Sequence, residues 1–294
     1  MSAGVRPEYI ADADIASDVI VNAYDCPNVI VGVGPSRSGT TLFARMFAEL
    51  GIRTYYQPLK AILRNRIHGS RVSLPLAGKG PVFIKETLGA YTTNEASFNP
   101  IDILTLADVP TSQLSLLTIV RNPYTTAASI VENFSWFAER EDLIDIMLLC
   151  FKSIESIRQR AAERNINAIS FVHEAWRDND PPLVVGQLSK RLAIPFDPHK
   201  LSGWRSVTSL KGNIQNMHWL DEPDAYYKVD FFKRIKSSSG INYYGESDDR
   251  IAEVLTNEQI QKIRASHVFD LYADLCRQCQ DDLAVAVNCR TNLG

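Results

Sequence analysis

The chain has 294 residues, 45% of them hydrophobic, which is enough to bury a large core in one domain with insertions or in two small ones. Its formal charge is −3 and its pI about 6.0, so no basic field invites nucleic acid or an anionic membrane, and any anion site must be local. No apolar run approaches the roughly 20 residues that cross a bilayer, and the first residues lack the apolar core of a secretory signal. The expectation is a cytoplasmic protein.

In chain order, residues 1–27 read as an acidic, Ala-rich lead-in with one short helix over 15–24. Residues 28–34 are wholly apolar and predict a strand buried on both faces of a parallel sheet. Residues 40–50 carry Leu42, Phe43, Met46, Phe47 and Leu50 at helical spacing. A second strand is expected over 52–56, a helix over 58–67, loop over 69–81 and a short strand over 82–85. Residues 114–120, LSLLTIV, predict another buried strand, followed by helices over 125–138 and 141–164. A strand over 168–172 and a helix over 182–192 complete an alternating pattern. Strands alternating with helices imply an α/β fold of three layers, a central parallel sheet flanked by helices.

Residues 201–294 read as an irregular cap followed by one C-terminal helix over 256–283, capped by Thr256. The cap interleaves charges with aromatics, among them Trp219, Tyr226, Tyr227, Phe231, Phe232, Tyr243 and Tyr244. The expected division is a lead-in (1–27) and one domain (28–294), with a core over 28–200 and the cap and C-terminal helix over 201–294. The odd cysteine count, Cys26, Cys150, Cys276, Cys279 and Cys289, predicts free thiols. The lone Cys-x-x-Cys at 276–279 is compatible with zinc or redox chemistry, but its helical context favours an inert helix face.

The first strand and its helix enclose the chemically richest stretch, Gly34-Pro35-Ser36-Arg37-Ser38-Gly39-Thr40-Thr41. A strand, tight loop and helix start point backbone N–H groups at one spot, which makes an anion site. Gly34 and Gly39 have the spacing of a P-loop, yet Thr40 stands where its Lys should be. That Lys is the main triphosphate clamp, so its absence argues against a nucleoside triphosphatase. Arg37 supplies the cation instead, and Ser38, Thr40 and Thr41 supply hydroxyls. A second candidate, Arg121-Asn122-Pro123 with Ser129, sits where a buried strand opens into a helix. Ligands collect there in doubly wound sheets, and Arg121 and Ser129 are suited to one phosphate.

Together these two motifs resemble the phosphate loops of PAPS-dependent sulfotransferases, whose fold is P-loop-like. The resemblance spans residues 28 to about 200. It implies that Arg37, Ser38, Gly39, Thr40 and Thr41 hold the 5′-phosphosulfate of 3′-phosphoadenosine 5′-phosphosulfate (PAPS), and that Arg121 and Ser129 hold its 3′-phosphate. It sets His173 where the family has an aromatic residue beside the adenine, next to Glu174 of a similar strand-end motif. A satisfied strand-end histidine is the rival reading. By the same resemblance, Lys85 acts on the leaving phosphosulfate oxygen, the released product is PAP, and no metal is required.

The family's basic His, two residues after that Lys, is Thr87 here, so the resemblance leaves adjacent Glu86 as the candidate base. Consecutive strand residues face opposite ways, so Lys85 and Glu86 share a pocket only if the strand has ended. His68, Glu132 and His218 are rival bases. Tyr55, Gln57 and His68 are candidates for the acceptor pocket, and Lys211-Gly212 faintly resembles a further phosphate loop. A kinase using ATP and Mg²⁺ and a non-catalytic nucleotide-binding module are the alternatives to a sulfotransferase.

Overall fold

In this computed structural model, residues 9–22, 24–223, 226, 232–243 and 247–290 are described. The chain runs α1 (Asp12–Ala16), β1 (Val19–Val21), β2 (Val29–Pro35), α2 (Thr40–Glu49), β3 (Arg53–Tyr56), α3 (Pro58–Ile67), β4 (Leu74–Leu76) and β5 (Val82–Leu88). Next come α4 (Thr93–Ser97), α5 (Pro100–Leu106), β6 (Leu114–Val120), α6 (Pro123–Phe134), α7 (Arg140–Glu163), β7 (Asn167–Val172), α8 (Ala175–Asp178) and α9 (Pro181–Leu192). The last third holds β8 (Met217–Trp219), α10 (Lys233–Ser237), α11 (Asp248–Val254), α12 (Asn257–Ala265) and α13 (Val268–Leu283).

Six strands form the expected parallel sheet, in the order β7-β6-β2-β5-β3-β8, with helices flanking it. All seven residues of β2 are buried, as its unbroken apolar run requires of a central parallel strand. After β5 the chain crosses from one side of β2 to the other to form β6. Connections leave the sheet in opposite directions there, which opens a crevice at the carboxyl ends of the strands.

Several local expectations need correction. The short helix predicted over 15–24 is α1 followed by β1, and β1 pairs in parallel with β4, inside the stretch predicted as loop. Val19 to Val21 is a β-branched run whose partner lies some fifty residues away, so local periodicity carries no trace of it. Strand β5 extends three residues beyond the predicted end, to Leu88. Strand β8 was not foreseen, because three residues are too short to show a period.

The long C-terminal helix is two helices, broken at Ser266 and His267; Thr256 does cap the first, in a capping box with Gln259. Cys276 and Cys289 form a disulfide, so the free-thiol expectation holds only for Cys26, Cys150 and Cys279. Of the cap aromatics, Tyr227, Phe231 and Tyr244 lie outside the described residues.

One buried arginine ties the last third to the sheet. Arg45 of α2 is fully buried, donates to the carbonyl oxygens of Arg205 at 2.6 Å and of Ile235, and lies over the Trp204 ring at 5.0 Å. Removing its side chain strands those carbonyls without their charged donor. Arg45→Ala is expected to cost about 3 kcal/mol in urea unfolding, and to expose the chain between 205 and 240 to limited proteolysis. Unchanged cleavage in that stretch would refute the anchoring role.

Candidate active site

The carboxyl ends of the six sheet strands converge on a cleft of about 800 Å³. At its centre, β2 passes into the loop before α2. Arg37 takes a left-handed φ of 71° and Gly39 one of 97°, which turns the chain sharply enough to start α2 at once. Gly39 is the N-cap and brings no side-chain cap, so the first amides of α2 stand at the cleft for an anion. Only glycine fits there: a Cβ on Gly39 would lie 2.8 Å from His173 Nδ1.

The loop's side chains divide. Arg37, Thr40 and Thr41 line the cleft, and Ser36 lines it too. Thr40 Oγ1 hydrogen-bonds Thr87 Oγ1 at 3.0 Å, and Thr41 Oγ1 hydrogen-bonds the Tyr56 hydroxyl at 3.2 Å. Ser38 departs from expectation. Its hydroxyl is fully buried beneath the loop against Gly34, outside the cleft lining and without a partner among the described residues.

The Arg121-Asn122-Pro123 motif is built by capping. Asn122 Oδ1 accepts the Tyr124 and Thr125 amides at 3.0 and 3.3 Å and so starts α6. Glu174, at the end of β7, accepts the Asn122 amide at 3.0 Å through Oε1. These bonds set Arg121 at the end of β6 and Ser129 on the following helix, both facing the cleft. Arg37 Nε donates to Ser129 Oγ at 3.1 Å, so one hydrogen bond joins the two motifs that the sequence separates by 92 residues.

His173 lies beside this pair. Burial and the neighbouring Arg121 cation push its pKa down to about 3. The neutral ring lies 5.4 Å from the Tyr243 ring, and its Nδ1 has no partner among the described residues.

Strand β5 decides the next pair. Because it continues to Leu88, Lys85 and Thr87 face the cleft while Glu86 points to the other side. Glu86 Oε1 accepts the Leu59 amide at 2.8 Å and so caps the start of α3. Burial pushes its carboxyl up to about 7 against the pull of that amide and of Lys60 and Lys85. The expected sharing of one pocket by Lys85 and Glu86 therefore does not occur. Lys85 Nζ donates to Gln57 Oε1 at 3.1 Å and lies 4.1 Å from the Tyr56 ring centroid. Burial and the Lys60 cation hold its pKa well below the usual lysine range.

At the far end, Gln57 lines the cleft, whereas Tyr55 and His68 do not. Tyr55 donates to the Pro75 carbonyl at 3.2 Å, and the His68 ring packs edge-on to Tyr226 at 5.7 Å. Tyr56 takes the place expected of Tyr55, since a one-residue register change swaps the faces of a strand.

Sequence reasoning missed a buried charge cluster here. Arg64 donates to both Glu95 oxygens at 2.8 and 3.2 Å and to Glu222 Oε2 at 2.5 Å. Lys60 pairs with Glu95 at 3.6 Å. Lys60, Arg64 and Glu222 all line the cleft, with Tyr91, Tyr226 and Trp219. The four-residue spacing of Lys60 and Arg64 on a helix was the available signal; nothing local links them to Glu222. The rival bases separate as well: Glu132 lines the cleft, tied to Arg250 at 2.6 Å, whereas His218 packs near Tyr55 at 5.4 Å, outside it. Lys211 instead pairs with Asp221 at 3.1 Å, away from the cleft.

No family model matches the chain, and no curated protein matches it. Among solved structures it is similar to the mouse sulfotransferase SULT7A1 complexed with PAP, at 13% identity and a TM-score of 0.49, over 93% of this chain and 94% of that one. A sulfotransferase domain from the curacin biosynthetic pathway is similar at 13% identity and 0.44, over 82% of this chain and 97% of the other. The sulfotransferase domain of the Synechococcus PCC 7002 olefin synthase is similar at 16% and 0.36, over 62% and 78%.

The depressed pKa of His173 has a consequence for stability. At pH above 6.5 the ring is neutral in both folded and unfolded chains; below it, the unfolded chain binds a proton that the folded one refuses until about pH 3. Stability should therefore fall as pH drops from 6.5, with this residue contributing about 2–3 kcal/mol of the loss by pH 4.5. His173→Asn should flatten that part of the profile in urea unfolding at the two pH values. A variant as acid-sensitive as the parent would show that the ring titrates normally.

Proposed function

We propose that the chain is a sulfotransferase, carrying the sulfuryl group of PAPS to a hydroxyl or amine of a small-molecule acceptor and releasing PAP. The observation that carries this reading is the Arg37–Ser129 hydrogen bond, which joins two anion sites in one cleft. A cofactor with phosphate at both ends of a nucleoside needs such a pair, whereas ADP needs one site. Thr40 in place of the triphosphate Lys fits the same choice. So does Arg121 after β6, where a Mg²⁺ site would call for a carboxylate.

In this reading the loop amides, Arg37, Thr40 and Thr41 hold the 5′-phosphosulfate, and Arg121 and Ser129 hold the 3′-phosphate. The neutral His173 ring, with its unsatisfied Nδ1, suits the adenine. Ser38 acts through its backbone, since its hydroxyl is turned inward. Lys85 stands beside the loop, at the level where the bond between sulfur and the bridging oxygen breaks and negative charge grows on the leaving phosphate. Gln57 and Tyr56 begin the acceptor side.

PAP should raise the melting temperature well above the effect of ADP, because ADP leaves Arg121 and Ser129 unused; equal shifts would refute the 3′-phosphate site. Arg37→Ala should weaken PAP binding in calorimetry by about 1.5–3 kcal/mol while the fold survives. Lys85 provides a third check. Its burial disfavours the ammonium, and an arriving dianion favours it, so PAP binding at mildly alkaline pH should draw in a proton. Binding enthalpies in buffers of different ionisation heat should reveal that uptake, and Lys85→Met should remove it.

A further inference from the structure

The ends of the sheet strands lie across the cleft in the order His173, Arg121, the 35–39 loop, Lys85, Tyr56 and Trp219. If the nucleotide occupies the side from β7 to β2, the sulfuryl group points over β5. The acceptor then lies over β3 and β8, whose edge is three strand spacings, about 14 Å, from β2. A group that takes the acceptor's proton must line that end. Glu86 is turned to α3, and His68 and His218 lie outside the lining. His173 lies at the nucleotide end, and Glu132 sits at that same end, on α6 three residues after the Ser129 that Arg37 bonds.

We propose that Glu222 is the base of the transfer and that Arg64 is its positioning residue, an assignment that rests on the sulfuryl-transfer reading above. The Glu222 side chain is 2% exposed yet lines the cleft. Arg64 Nη1 donates to its Oε2 at 2.5 Å, and Arg64 is itself immobilised by its two bonds to Glu95 and by the Tyr226 and Tyr91 rings at 4.2 and 5.4 Å. The segment that carries Glu222 is tied to the reaction centre through aromatic contacts. Trp219 stacks on Tyr56 at 3.9 Å, and Lys85 Nζ lies over the same Tyr56 ring, 4.1 Å from its centroid. A base held by a third group at one side of a reaction centre, with the leaving-group cation at the other, is the arrangement an in-line displacement needs.

The groups facing Glu222 are Arg64 from α3, Lys85 from β5, Tyr56 from β3, and Tyr91 and Tyr226 from the flanking loops. The step balances. The acceptor oxygen bonds to sulfur while the bond from sulfur to the bridging oxygen breaks. That electron pair stays on the 5′-phosphate of PAP near Lys85, and the acceptor's proton passes to the Glu222 carboxylate and then to water. By analogy with phosphoryl transfer, whose transition state is loose, a carboxylate is a sufficient base for an oxygen that loses its proton as the new bond forms.

The test follows PAP formation from PAPS with 2-naphthol, benzyl alcohol or water as acceptor, in parallel with PAP affinity and melting temperature. Glu222→Gln keeps an oxygen for Arg64 and removes the basicity. Its turnover should fall ~10²–10⁴-fold, its PAP affinity should stay within about twofold, and the acid limb of kcat/KM should vanish. If that variant does not fold, Glu222→Asp carries the test, with reduced turnover and the acid limb retained. Parental turnover with an intact acid limb in a folded Glu222→Gln, or unreduced turnover in Glu222→Asp, overturns the assignment while sulfuryl transfer stands. Failure of the parent chain to bind PAP overturns the sulfuryl-transfer reading itself.

Discussion

The seven-residue parallel ladder between β2 and β5, from Val29–Val82 to Pro35–Leu88, is the constraint on which the rest of the cleft depends. It is buried along its whole length, and a one-residue slip of β5 would exchange the faces on which Lys85 and Glu86 stand. With that register set, Thr87 meets Thr40 across the start of α2, the Ser36 amide bonds the Leu88 carbonyl at 2.9 Å, and Lys85 rises at the cleft. The same register sends Glu86 to the amide end of α3. One ladder thus shapes the anion loop, aims the central cation and starts a helix.

Around that ladder, charge is collected in a protein whose overall charge is negative. Arg37, Lys60, Arg64, Lys85 and Arg121 all line one cleft. Such a grouping is costly without counter-charge. The two ends meet the cost differently. At the far end, Glu95 and Glu222 neutralise Lys60 and Arg64 within the protein. Burial alone would push the Glu95 carboxyl up, but Arg64 and Lys60 outweigh it and hold it below its usual range. At the end where Arg37 and Arg121 lie, Glu132 lines the cleft tied to Arg250 at 2.6 Å, and the Glu174 carboxyl, pushed up by burial, is close enough to Arg121 for the cation to pull it back down.

The last third of the chain closes this arrangement rather than forming an appendage. Strand β8 extends the sheet beside β3 and brings Trp219 onto Tyr56. Arg45 holds Arg205 and Ile235 by their carbonyls, and Phe232, Lys233, Arg234 and Ile235 line the cleft beyond. On the opposite side, the segment after α13 is pinned by the Cys276–Cys289 disulfide. It accepts from the Asn122 side chain through the Arg290 carbonyl at 2.7 Å. Residues distant in sequence therefore steady both the β3–β8 end of the cleft and the Arg121 turn.

Much of this was legible beforehand, for a physical reason. An apolar run such as 28–34 can be satisfied only inside a parallel sheet, and a glycine-bounded loop before a helix makes an anion site wherever it occurs. Hence the sheet, the 35–41 loop and the Arg121–Ser129 turn were all readable from local pattern. What pairing decided was not readable. The length of β5 separated Glu86 from Lys85, the register of β3 exchanged Tyr55 for Tyr56, and three-residue strands β1, β4 and β8 exist only because a distant partner completes their hydrogen bonds. The sequence by itself determined which segments must be buried and where an anion can sit, since those follow from the side chains of one short stretch. Only the tertiary structure decided which charged groups face one another, because the Arg64–Glu222 and Arg37–Ser129 contacts join residues 158 and 92 positions apart.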